Sequence, residues 1–169
     1  VSAPVVVAVA ALTLALLAGC GGGAPATVPQ LPPDLLPELT GQLDCGGSGI
    51  VMVRQHRYDF SGDGVPDALV AVRCDVGAGA PPSAVFAVQA APGGPRVVGQ
   101  LLGLDAGEVV SDLSGAGPNA VVTAFAFSPD APRCCPDLQA THTYSWTGTS
   151  FVAGRRTATP LPSAAPGDG

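Results

Sequence analysis

Three aspartates and two glycines crowd one stretch, "YDFSGDGVPDALV", Tyr58 to Val70. A hard cation such as calcium takes six to eight oxygen ligands in a flexible geometry. Asp59, Ser61 and Asp63 stand at alternate positions, so a tight loop would aim their oxygens inward. Gly64 permits the sharp turn, Val65 offers its carbonyl, and Asp67 closes the set. The expected ligands of a structural Ca2+ site are therefore Asp59, Ser61, Asp63, Val65 and Asp67. The alternative is a metal-free turn, with Asp59, Ser61 and Asp63 accepting backbone N–H groups as Asx and ST turns. Catalysis would need a nucleophile, a base or an open metal position beside the loop, and the sequence offers none.

Val70 occupies the position where a helix–loop–helix calcium site carries its bidentate glutamate. Asp67 leads into "ALVAVRC", which reads as a strand rather than a helix. In that form the stretch resembles the D-x-[DN]-x-D-G-x-x-D loops of FG-GAP and related β-blade repeats. The resemblance implies calcium held between two strands, although Ser61 replaces the family's Asp or Asn.

The first twenty residues, Val1 to Cys20, are apolar and carry no charge. The run is long enough to span a bilayer as a helix, but its small-residue end favours a signal peptide. Its last four residues, "LAGC", resemble the lipobox of bacterial lipoproteins. That likeness implies a signal peptide over 1–19, a diacylglyceryl group on Cys20 and a lipidated tether over 20–33. The protein would then be exported and anchored through Cys20 to the outer face of the cytoplasmic membrane. The basic segment that usually precedes such a run is missing from this sequence.

Export bears on the other cysteines. Cys45, Cys74, Cys134 and Cys135 form an even set, which in an oxidising compartment implies two disulfides. A bond between adjacent cysteines is uncommon. The favoured arrangement joins Cys45 and Cys74 each to one member of the "CC" pair. Zinc is the rival, but "CC" lacks the C-x-x-C spacing of a zinc site. His56 and His142 are the two histidines, and both read as partly exposed strand residues. "GGSG" at 46–49 misses the spacing of a nucleophile elbow. Arg54, His56 and Arg57 read as a solvated strand face rather than an anion patch.

The elements that must position these residues are mainly β. Gly 23 and Pro 18 in 169 residues point to many turns and unstructured ends. The net charge of −6, with no basic stripe, argues against a nucleic-acid partner. Short β-type runs begin at Ile50: 50–58, 67–74, 84–89, 96–102, 108–113, 120–127, 140–147 and 150–155. They predict an antiparallel meander or curled sheet, stapled by disulfides, over a domain of residues 34–157. One short helix is expected over 34–43, capped by Asp34, with Leu35, Leu36, Leu39 and Leu43 on its apolar side. Strand 120–127 is apolar on both faces, which predicts a central strand with the helix against its alanines. Residues 158–169 read as a disordered tail.

The segment "VVTAFAFSPDAPRCCPDLQATHTYSWTGTSFVA", 121–153, resembles the C-terminal part of small actinobacterial lipoproteins of the LppP/LprE type. The likeness rests on Cys134, Cys135, Pro136, Tyr144, Trp146 and Gly148. It implies an envelope lipoprotein and supplies no activity. The expected function is non-enzymatic binding or support, with an unidentified envelope partner or ligand. The competing expectation is an envelope hydrolase or other enzyme whose residues, such as His56, His142 and an aspartate, meet only in the fold.

Overall fold

The computed structural model describes Pro33 and residues 35–77, 79–132 and 134–162. The signal segment 1–19, Cys20, the tether up to residue 32, Asp34 and residues 163–169 lie outside the described residues. Among the described residues, eight strands follow one helix, α1 (Leu36–Gln42). They are β1 (Ile50–Tyr58), β2 (Asp67–Cys74), β3 (Ser83–Gln89), β4 (Arg96–Leu102), β5 (Val109–Ala116), β6 (Asn119–Ala126), β7 (Leu138–Trp146) and β8 (Phe151–Pro160). A 3-10 turn, Leu104–Ala106, separates β4 from β5. The fold is mainly β, as the turn spacing predicts, and every strand pairing is antiparallel.

The eight strands divide into two four-stranded meanders, ordered β1-β2-β3-β4 and β5-β6-β7-β8. Period-two side-chain alternation decides what each face meets. In β2 and β3, Leu69, Ala71, Val85 and Ala87 point between the sheets, against Leu113, Ala120, Val122 and Ala124. The other face, Ala68, Val70, Val72, Ala84, Phe86 and Val88, carries α1 through Leu35, Leu39 and Leu43. The layers are therefore helix, sheet, sheet. Leu35, Leu39 and Leu43 recur every four residues and so form one stripe; Leu36 falls outside it and is exposed. Pro37 sits in the first turn, where a missing N–H breaks no helical bond.

Two sequence expectations change here. The doubly covered strands are β2 and β3, buried on both faces, not β6. In β6 burial alternates: Ala120, Val122, Ala124 and Ala126 are buried, whereas Val121, Thr123 and Phe125 are half-buried. The alanine face thus meets the first sheet rather than the helix. The second change is at the C-terminus. β8 continues to Pro160, paired with Leu138, three residues into the stretch expected to be a tail.

The disulfide arrangement also differs from the favoured one. Cys45 bonds to Cys74, with Cα atoms 5.4 Å apart, and Cys134 pairs with its neighbour Cys135. The cause is register. Ile50 pairs with Cys74 across β1 and β2, and the amide of Asp75 donates to the Gly49 carbonyl. The short chain back from Ile50 to Cys45 stays within reach of Cys74, while the "CC" pair lies on the β6–β7 connection of the other sheet. The Cys45–Cys74 bond clamps the segment after α1 to the end of β2.

Candidate functional site

The acidic loop closes through amides. Asp59 accepts the N–H groups of Gly62 (2.6 Å) and Gly64 (2.8 Å) on its two oxygens, and the Ser61 hydroxyl at 3.3 Å. These hydrogen bonds, that from Gly64 first, hold its carboxyl below the usual carboxylate range. Asp63 accepts Val65 N–H at 2.8 Å. Asp67 turns the other way and is 2% exposed. One of its oxygens accepts Phe60 and Ser61 N–H, the other Ala90 N–H at 2.9 Å. Asp59 and Asp63 therefore serve the exposed turn, while Asp67 ties the loop to the end of β3. Among the described residues, no group of three or more His, Cys, Asp or Glu side chains is arranged to hold a metal ion. In this structure the carboxylates of Asp59, Asp63 and Asp67 accept backbone amides, and the Ser61 hydroxyl donates to Asp59.

Phe60 seats the loop on the fold. Its buried ring meets Trp146 and Phe151 at centroid distances of 5.0 Å each, beneath the β7–β8 hairpin. Tyr58 lies 5.9 Å from Phe60 and covers Gly115, where a Cβ would fall inside the tyrosine ring. That contact brings β1 against β5. Burial, with Asp67 as a smaller contributor, pushes the Tyr58 hydroxyl up to about 12. His56 packs beside Tyr58 at 5.3 Å, and its Nε2 is buried without a hydrogen-bond partner.

The second histidine has a different setting. His142 on β7 contacts Glu108 through Nε2 and Oε2 at 2.7 Å. Arg156 on β8 donates from Nε and Nη2 to the other oxygen, Oε1, at 3.1 and 2.7 Å. The Glu108 side chain is 5% exposed, His142 13% and Arg156 48%. A buried carboxylate is costly unless paired and hydrogen-bonded, and here both oxygens are engaged. Tyr144 completes this corner: its ring stacks near His142, and its hydroxyl donates to the Leu101 carbonyl at 2.8 Å. Burial first and the Glu108 charge second push its hydroxyl up to about 12.

Local backbone geometry builds the cluster. From Trp146↔Phe151 to Tyr144↔Ala153 the hairpin is regular; by His142 its partner has moved to Arg156. Gly154 and Arg155 together oppose the single residue Thr143. The Thr143 hydroxyl accepts Arg155 N–H at 2.9 Å and donates to Arg155 carbonyl oxygen at 3.2 Å, satisfying the bulge. A one-residue slip flips side chains between faces. Without the bulge, His142 would face Arg155 and Arg156 would point the other way.

Glu108 and Arg156 line a cleft of about 400 Å³ at the opposite end of the molecule from the acidic loop. The β2–β3 connection supplies Ala80 and Pro82, the segment before β5 Ala106 and Gly107, and the β6–β7 side Ala126, Phe127, Ser128 and Ala131. The Ser128 hydroxyl donates to Asp137 at 2.6 Å. This bond and that from Ser128 N–H hold Asp137 below its usual range. His56 and His142 lie in different sheets, and neither lines this cleft or the smaller one bounded by Leu35, Asp67 and Gly94. The sequence reading missed Glu108 and Arg156. The available signals were a glutamate at the start of an apolar strand and the Gly154-Arg155-Arg156 run after the hairpin turn, but neither specifies a register.

No family model matches this chain, and no curated protein or solved structure was found similar to it. The class its fold defines is a two-sheet antiparallel β domain with a flanking helix and a disulfide. Among the described residues no helix is long and apolar enough to cross a membrane.

Proposed function

We propose that this is an exported, lipid-anchored protein of a bacterial cell envelope, working by binding rather than catalysis. The lipobox-like "LAGC" supports lipidation at Cys20, and the Cys45–Cys74 disulfide agrees with an oxidising compartment. The observation that carries the binding reading is the state of the cleft's polar groups. Glu108 has both oxygens engaged by His142 and Arg156, and neither histidine lines the cleft to act as a base there. What the cleft presents is a positioned arginine among small side chains and polar groups, in a volume typical of small-molecule sites. The likeness to LppP/LprE-type lipoproteins agrees with the envelope assignment. The acidic loop acts as a staple between β1, β2 and β3.

Detergent partition tests the anchor. The wild-type protein is expected in the detergent phase and Cys20→Ala in the aqueous phase; equal partition would overturn lipidation. Cross-linking in intact cells, followed by mapping of adducts, tests the binding reading. Adducts should cluster on 80–82, 106–108 and 126–131, and adducts confined to the acidic-loop end would move the binding surface there.

A further inference from the structure

The geometry around Arg156 narrows the chemistry of what the cleft can hold. Arg156 spends its Nε–Nη2 edge on one oxygen of Glu108. Among the described residues its Nη1 has no hydrogen-bond partner, so the Nη1–Nη2 edge remains available at the cleft. A guanidinium recognises a carboxylate or phosphate through two parallel N–H donors on such an edge. The buried Glu108, held from its other side by His142, fixes the plane of that fork before any ligand arrives. Such preorganisation lowers the cost of ordering on binding.

The cleft's other walls set the remaining chemistry. Phe127, Pro82 and the methyl groups of Ala80, Ala106, Ala126 and Ala131 give apolar patches within a more polar lining, enough for a short apolar body. The surroundings disfavour multiple charges. Asp105, Asp130 and Asp137 stand on connections at the same end of the molecule, and the chain carries −6 overall. Exposed charges act over about 8 Å at physiological salt, so these carboxylates oppose a dianion more than a monoanion. We infer that the cleft binds a small apolar monocarboxylate, its carboxylate on the free edge of Arg156 and its body against Phe127 and the alanines. This rests on the binding reading of the cleft.

The test uses the full chain in uncharged detergent micelles, followed by two-dimensional NMR of backbone amides and arginine Nε–H groups. The probes are butyrate, its neutral analogue butyramide, and inorganic phosphate. Butyrate should give saturable shifts at Gly107, Ser128 and the Arg156 Nε–H, with butyramide and phosphate at least about tenfold weaker. Arg156→Gln should weaken butyrate by a similar factor. Ala131→Phe, which fills the mouth without touching the ion cluster, should also weaken it and covers the case in which Arg156→Gln does not fold. Equal binding of butyrate and butyramide that Ala131→Phe removes would keep the cleft as a binding site and overturn the carboxylate class. Phosphate binding more tightly than butyrate would also overturn that class. No saturable shift from any probe would overturn both the class and the cleft.

Discussion

Arg156 stands directly opposite His142 on neighbouring strands, and the two engage different oxygens of one buried carboxylate, that of Glu108. Two potentially cationic side chains facing each other would repel; the intervening Glu108 makes the arrangement favourable. The placement depends on the bulge opposite Thr143, and so on Gly154. A Cβ at Gly154 would lie 2.7 Å from the Thr143 hydroxyl and 3.2 Å from its carbonyl oxygen.

Gly154→Ala is therefore expected to disturb the bulge and withdraw Arg156 from Glu108. Overpacking of this kind costs on the order of 1–3 kcal/mol. Urea unfolding measures the loss, and the Arg156 Nε–H resonance reports the broken pair. An unchanged resonance would show that the bulge tolerates the methyl group.

Glu108→Ala should also be damaging. It leaves His142 Nε2, on a mostly buried side chain, without its partner, at a cost of about 1–3 kcal/mol, while the half-exposed Arg156 turns to water. His142→Ala leaves the Arg156 contact intact and should cost less. Reversal of that order in equilibrium unfolding would contradict the central role of the carboxylate.

Alkali should weaken the fold over a defined window. Tyr58 and Tyr144 both have hydroxyls pushed up to about 12, against about 10 for a free tyrosine. The folded state then keeps protons that the unfolded chain releases. This contribution is complete below about pH 10 and is lost as pH rises towards about 12. The urea midpoint should fall across that interval, and Tyr144→Phe should reduce the slope while removing the hydrogen bond to Leu101. A slope unaffected by Tyr144→Phe would contradict the assignment.

The two cysteine pairs should differ in effect. Cys45–Cys74 closes a separation of 29 residues, worth about 3–4 kcal/mol in chain entropy. A bond between sequence neighbours closes almost no loop and should contribute under about 1 kcal/mol by the same account. Replacing Cys45 and Cys74 with alanine should lower the melting temperature well beyond replacing Cys134 and Cys135. Equal losses would point to a long-range role for the second pair.

The acidic loop should depend on Asp67 more than on Asp63. Asp67→Ala strands three amides, one of them that of buried Phe60, and each such loss costs about 1–3 kcal/mol. Asp63→Ala removes one exposed turn contact. With its oxygens on amides, the loop should leave the melting temperature unchanged in millimolar calcium. A calcium-dependent rise that Asp63→Ala abolishes would instead establish the oxygen cage.

Much of the architecture was legible in the chain itself. β-type runs and Gly/Pro turns located β1, β2 and β4 to the residue, because period-two burial and turn chemistry are local properties. Leu35, Leu39 and Leu43 identified a helix for the same reason. The loop's carboxylates were visible too, but their direction was not: Asp67 turns inward because Ala90, 23 residues away, offers an amide.

Tertiary structure decided the rest. Which sheet the helix covers, and which cysteine reaches which, follow from strand register across distant segments. Glu108 meets His142 at a sequence separation of 34 and Arg156 at 48, and only a bulge turns Arg156 to the correct face. Composition and spacing encode which residues prefer strands and turns. Which side chains share a buried corner depends on how two sheets stack, and on a single extra residue in one of them.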